Sequence, residues 1–169
     1  MKKFPNLKTL AEASDEDIIE ILESLGLRWR ISLLISMVKI LTSRYKGKIP
    51  SKKQELQSLP GVGDYISSAV RSFALGFHDP ILDTNTVRIL GRLNGIQTND
   101  SSRRNKKFKI MYNSLCDGNS SREFNFGMLD LAALLCTPSK PSCEICPVKY
   151  LCKYGTHSRR DEYERDICN

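Results

Sequence analysis

The chain has 169 residues, 40% hydrophobic and 27% charged, with 26 Lys plus Arg against 19 Asp plus Glu for a net charge of +7. That length and balance suit one compact domain or two small ones, and exclude a disordered tail. The longest apolar stretch, Ile31 to Leu41, is broken by Ser32, Ser36 and Lys39, and the start MKKFPNLKTL carries no apolar run behind its basic tip. Neither a membrane span nor a secretory signal is expected.

Nearly every segment reads as helix. Ser14 with Asp17 three residues later resembles a capping box, and Ile18, Ile21, Leu22 and Leu25 follow at helical spacing until Gly26. Ile31, Leu34, Ile35, Val38 and Leu41 form the next apolar stripe, closed by Gly47 and Pro50. Ser51, with Gln54 in the capping position, opens a helix that ends at Pro60. After a Gly61–Gly63 turn, helices are predicted over about 64–75, 84–93, 103–116 and 124–135. No alternating strand pattern and no repeat occurs, so the fold class is all-α. The polar run GIQTNDSSRRN (95–105) suggests a boundary between a helical body, residues 1–100, and a smaller cysteine-bearing domain, residues 101–169, whose tail from His157 is highly charged.

The charge is unevenly placed. Residues 24–54 hold eight basic residues and no acid, and Arg103, Arg104, Lys106, Lys107 and Lys109 form a second basic block. The first 23 residues lean the other way, with six acids against three lysines. Two basic blocks suit a surface that tracks phosphates, while solvated helix faces are the plain alternative. Under the first reading Arg30, Lys46 and Lys52 contribute salt-dependent binding.

Three features carry chemistry. Leu59-Pro60-Gly61-Val62-Gly63 lies between two predicted helices, where a turn needs glycine for positive φ or for close approach to a ligand. Amides after the turn sit at a helix N-terminus, which attracts phosphate. Contact through the backbone positions a protein on DNA without reading its bases. A plain helix-turn-helix corner is the alternative.

Second, Cys136, Cys143, Cys146 and Cys152 crowd into seventeen residues stiffened by Pro138, Pro141 and Pro147. Four thiolates suit a [4Fe–4S] cluster. A four-cysteine zinc site usually shows two close pairs, and this array has one CxxC, so a zinc-binding helical interaction module is the weaker alternative. A disulfide framework is the third. Cys116 and Cys168 lack partners at such spacing, and His78 and His157 sit poorly for a catalytic base.

Third, Asp83 precedes the predicted 84–93 helix, where Asp is a common N-cap. Its interest comes from lying about twenty residues after the hairpin.

In this order the three features resemble the helix-hairpin-helix DNA glycosylase superfamily, and more closely its iron–sulfur branch. That branch holds endonuclease III, the adenine glycosylase of A·G mismatches and the thymine glycosylase of G·T mismatches. The matching stretches are LPGVGDYISSAV (59–70), ILDTNTVRI (81–89) and FNFGMLDLAALLCTPSKPSCEICPVKYLC (124–152), with GLRWRISLLISMVKIL before GKIP (26–50) also similar. The resemblance implies a helical barrel-type glycosylase body, a helix-hairpin-helix motif over 51–76, and a small cluster domain. It makes Asp83 the essential carboxylate, Leu59, Gly61, Val62 and Gly63 the phosphate-binding hairpin, and the four clustered cysteines the ligands of a [4Fe–4S] cluster. That cluster fixes a loop presenting Lys140 and Lys149 to the DNA backbone.

Position 65 sorts the branches. Bifunctional members carry a Schiff-base lysine there; here it is Tyr65, and no lysine occurs from Gln54 to Asn105. The implied enzyme is a monofunctional glycosylase. It flips a base out of duplex DNA, breaks its N-glycosidic bond with an oxocarbenium-like sugar stabilised by Asp83, and lines the base pocket with Tyr65. Phe124-Asn125-Phe126-Gly127 and the stop soon after Cys152 tilt the substrate toward T or U opposite G rather than A opposite G or oxidised guanine. An inactive DNA-binding fragment or accessory subunit is the second hypothesis. Family members begin with further helices that have no counterpart before Phe4, which leaves three readings: a fragment, an unusually short member, or a chain whose missing wall a second chain or self-association supplies. A cytoplasmic, nucleoid-associated protein acting on double-stranded DNA is the expectation.

Overall fold

The computed structural model describes residues 3–25, 28–116 and 121–156. Gly26, His157, Cys168 and the charged tail lie outside them. Among the described residues every regular element is helical. The chain divides into two compact units, Met1–Ser67 and Ser68–Asn169.

In the first unit, α1 (Leu7–Ala11) and α2 (Asp15–Leu22) pack on the long α3 (Arg28–Tyr45). The expected cap forms: Ser14 Oγ accepts from the Asp17 amide at 3.1 Å. Asp15, Glu16 and Asp17 crowd the first turn, where the helix dipole favours them. On α3 the buried residues Ile31, Ile35, Val38 and Leu41 follow the stripe legible in the sequence. Ile18, Ile31 and Ile35 form a small core, flanked by Phe4, Leu10, Ala13 and Leu22. Each such side chain contributes about 1.5–3 kcal/mol on burial.

The next helix is shorter than expected: α4 spans Lys53–Gln57, with Lys52 rather than Ser51 as its N-cap. α5 (Asp64–Ala69) follows the turn.

In the second unit, the helix begun by α5 continues through a wide π turn, Val70–Ala74. Then come α6 (Thr84–Asn94), α7 (Lys106–Cys116) and α8 (Ser121–Asp130), the last running into a second π turn, Leu131–Leu135. α9 (Lys153–Thr156) closes the described chain. Leu82, Val87, Ile89, Leu90, Phe108, Tyr112, Met128 and Ala132 form the core. α6 runs through its centre, packing on α7, α8 and α9.

The chain does not divide in space where the polar run 95–105 suggested a boundary at 100/101, for that run packs inside the second unit. A Cβ on Gly91 of α6 would meet Thr98 Cγ2 at 2.4 Å and the Ile96 carbonyl at 2.7 Å. Glycine there lets the returning chain lie against the helix. Ser102 is buried and its hydroxyl accepts from the Asn99 amide at 3.0 Å. Polar composition marks a tight turn rather than a linker.

Candidate active site and cluster loop

The hairpin is built by short-range forces. The Leu59 amide bonds to the Leu56 carbonyl at 3.0 Å and the Val62 amide to the Leu59 carbonyl at 3.1 Å, while Leu59 itself is buried. Gly61 sits at φ +77, a conformation costly for L side chains, and a Cβ there would touch Leu33 at 3.4 Å. Gly63 is exposed and has ordinary φ, with open space where a Cβ would stand. Asp64 accepts from Gln57 Nε2 at 3.1 Å and pairs with Lys53 at 2.9 Å, clasping α5 to α4.

Arg30 lies over the Trp29 ring at 4.8 Å, and both line an apolar groove of about 350 Å³ with Pro60, Gly61 and Val62. This brings Arg30 beside the hairpin turn. Lys46 is exposed at the end of α3, and Lys52 is exposed and 3.8 Å from Glu55. Tyr65, the second residue of α5, is 43% exposed.

Asp83 ends a run, residues 79–82, that is buried throughout. It caps α6 as its residue type and position predict. Its Oδ1 accepts from the Thr86 amide at 2.7 Å, and the Thr86 hydroxyl accepts from the Asp83 amide at 3.0 Å. Asn85 Nδ2 donates to Asp83 Oδ2 at 2.9 Å. The carboxylate is held at both oxygens and remains half-exposed, keeping lone pairs for a further partner.

Behind it stand residues whose bonds the sequence does not mark. Arg88 donates to Asn85 Oδ1 at 3.0 Å, to the Cys136 carbonyl at 3.0 Å and to the Ala132 carbonyl at 3.2 Å. Burial pulls the Arg88 pKa down from its ordinary value and the neighbouring Cys136 opposes this. Arg92, one turn on, donates to the Thr137 and Pro138 carbonyls at 2.7 and 2.6 Å and to Cys136 Sγ at 3.3 Å. Its guanidinium also covers the Tyr154 ring at 4.8 Å. Their i, i+4 spacing after Asp83 is the one signal the sequence offers.

The cysteine loop folds back by single turns. The π turn delivers Cys136, whose amide bonds to the Leu131 carbonyl at 2.7 Å. The amides of Cys146, Lys149 and Cys152 bond to the carbonyls of Cys143, Cys146 and Lys149 in turn, at 3.1–3.2 Å. All four cysteines are free thiols, so no disulfide framework forms, and all four line one pocket with Leu93, Leu131 and Arg92. Burial pushes the Cys152 thiol up, opposed by hydrogen bonds from Gly155 and Tyr154.

Four-cysteine zinc sites usually show two close pairs, and this loop has one CxxC, Cys143 with Cys146. Four thiols around a shared, apolar-walled space, with guanidinium and amide donors behind them, fit a larger cluster. Lys140 is exposed. Lys149 pairs with Glu144 at 2.7 Å and is a quarter exposed.

Helices, hairpin, capped aspartate and cysteine loop together define a DNA-repair fold, and the sequence relationships agree. Residues 1–112 match the HhH-GPD superfamily of base excision DNA repair proteins, and residues 136–152 match the iron-sulfur binding domain of endonuclease III. The chain belongs to that superfamily, and its cofactor is a [4Fe–4S] cluster.

Among relatives, it is 39% identical over 160 residues to the thymine-DNA glycosylase of Aeropyrum pernix, covering 91% of this chain and 71% of that one. It is 32% identical over 161 residues to the adenine DNA glycosylase of Buchnera aphidicola, covering 95% of this chain and 46% of that enzyme, so it spans less than half of the latter. The solved structure of a thermostable thymine-DNA glycosylase superposes with a TM-score of 0.83 at 28% identity, over 91% of this chain and 71% of that one.

Proposed function

We propose that the chain is a monofunctional DNA glycosylase that hydrolyses the N-glycosidic bond of a mispaired base in duplex DNA. T or U opposite G is favoured over A opposite G or oxidised guanine. The observation that carries the reading is Asp83: a carboxylate fixed at both oxygens by Thr86 and Asn85, at the half-exposed end of a buried run. As the C1′–N bond lengthens the sugar gains positive charge, and a pre-positioned anion stabilises it without reorganising. The same carboxylate orients the water that adds to C1′. Tyr65 contacts the extruded base; its phenol forms no Schiff base, so strand cleavage is absent or weak.

The identity to a thymine glycosylase supports the preference for T or U. Cys136, Cys143, Cys146 and Cys152 ligate the [4Fe–4S] cluster, which supplies a rigid loop rather than a reacting group. The open Gly63 side of the hairpin, Leu59, Gly61, Val62 and the neighbouring Arg30 supply the contact to backbone phosphate, with Lys46, Lys52 and Lys140 adding salt-dependent attraction. The enzyme works at the nucleoid.

Single-turnover excision on duplexes bearing G·T, G·U, A·G and A opposite oxidised guanine, each developed with and without alkali, tests this. Alkali-dependent release from one mispair is the expected result. Silence on every duplex with DNA binding intact would sink the enzyme reading in favour of a binding protein.

A further inference from the structure

We propose that Asn125 is a positioning residue for the reaction: its side-chain amide stands in for a neighbouring β-strand and holds straight the run that presents Asp83. The role rests on the glycosylase reading above and deepens it.

Asn125 sits on α8, wholly buried. Its Nδ2 donates to the Asp79 carbonyl at 3.0 Å, and its Oδ1 accepts from the Ile81 amide at 3.3 Å. These two backbone groups flank Pro80, which has no amide hydrogen of its own. In a sheet, a strand alongside would satisfy both; among the described residues there is no strand. A buried peptide group left unpaired loses its solvation with nothing in exchange, so one side chain replaces a ladder.

The amide is itself held fast. Tyr112 donates to Oδ1 at 2.6 Å, and Nδ2 also reaches Ser72 Oγ at 2.7 Å and Ser121 Oγ at 3.3 Å. Burial pushes the Tyr112 phenol up, which keeps it a donor.

From Ile81 the support passes directly to Asp83. The Thr86 hydroxyl donates to the Ile81 carbonyl at 2.9 Å and accepts from the Asp83 amide at 3.0 Å. Ile81 is thus held on both sides, by Asn125 at its amide and by Thr86 at its carbonyl. Asparagine alone fits the post at this length: an ionised Asp cannot donate to the Asp79 carbonyl, and Leu neither donates nor accepts. A displacement of about 1 Å at the reacting carboxylate costs on the order of 100-fold in rate.

The test compares iron-loaded wild type, Asn125→Asp and Tyr112→Phe by amide hydrogen exchange over residues 79–86, by duplex affinity, and by single-turnover excision. Asn125→Asp should speed exchange in that segment by about 10-fold or more and slow excision by about 10- to 100-fold, with DNA affinity within about twofold of wild type. Tyr112→Phe removes one hydroxyl and little packing. It should produce the same pattern at a few-fold, and it keeps the test open should Asn125→Asp not fold.

Unchanged exchange over 79–86 in folded, iron-loaded variants overturns the proposal. So does faster exchange with excision untouched, or excision lost only in step with DNA affinity. Wild type silent on every mispair would mark failure of the glycosylase reading, and the exchange data would still decide whether Asn125 holds the run.

Discussion

In the hairpin the parts proposed to meet DNA are backbone atoms, and everything that shapes them lies within a few residues: the Leu59 and Val62 turn bonds, the φ of Gly61, and the Asp64 clasp to Gln57 and Lys53. At Asp83 the part proposed to act is a side chain, and its support comes from across the sequence. Asn125 lies 44 residues from Ile81, and Arg88 reaches Cys136 48 residues away. The first site is written in local turn chemistry; the second exists only once α6 and α8 have packed. Mutations near the hairpin should therefore act one at a time, whereas mutations around Asp83 should propagate.

The largest effect expected is at Asp83 itself. Asn is as good an N-cap as Asp, so Asp83→Asn should keep the melting temperature and duplex affinity while cutting single-turnover excision by about 1000-fold or more. A mild loss there would mean that the carboxylate serves only the helix.

Arg92→Leu removes two carbonyl contacts and the bond to Cys136 Sγ together. Iron release to a chelator, followed by loss of the cluster's colour, should quicken by about 10-fold. Retention at the wild-type rate would show that the loop holds its shape without α6.

The two hairpin glycines should separate stability from binding. Gly61→Ala forces an L residue into positive φ and should cost about 1–2 kcal/mol in chemical denaturation. Gly63→Ala meets open space, so denaturation should be unchanged while duplex affinity falls by about threefold. Equal affinity in the Gly63 variant would remove the backbone from the DNA contact. Smallest of all is Asp64→Asn: the carboxylate is 62% exposed, so stability should move by less than about 1 kcal/mol, with duplex affinity rising about twofold.

The same contrast explains what can be read from the sequence. The stripe on α3, the Ser14 and Asp83 caps, the glycine turn and the cysteine array all leave short-range signatures, and all are found where periodicity and spacing put them. Ser51 misleads because a serine at cap spacing does not say whether the chain before Lys53 turns the right way. The polar run 95–105 resembles a linker because composition does not reveal that Gly91 makes room for it against α6. Arg88 and Asn125 lie in stretches the sequence does single out, yet it gives no sign of what they bond, nor of what Arg92 bonds, since their partners are mostly backbone carbonyls and amides, which every residue carries. The pairing of Lys149 with Glu144 is likewise invisible in composition.

The two π turns carry a consequence for insertions and deletions. Each wide turn holds one residue more than an α-helix needs, and each residue rotates the downstream chain by about 100°. A single-codon deletion within 131–135 would let α8 run on as a smooth α-helix, locally better bonded than before. Because the wide turn carries five residues through about the arc that four cover in an α-helix, Cys136 would keep its facing toward Cys143, Cys146 and Cys152. Loss of one amino acid there should yield a helical protein that still holds its cluster, whereas a one-residue insertion into α8 adds about 100° of rotation and should yield a colourless one.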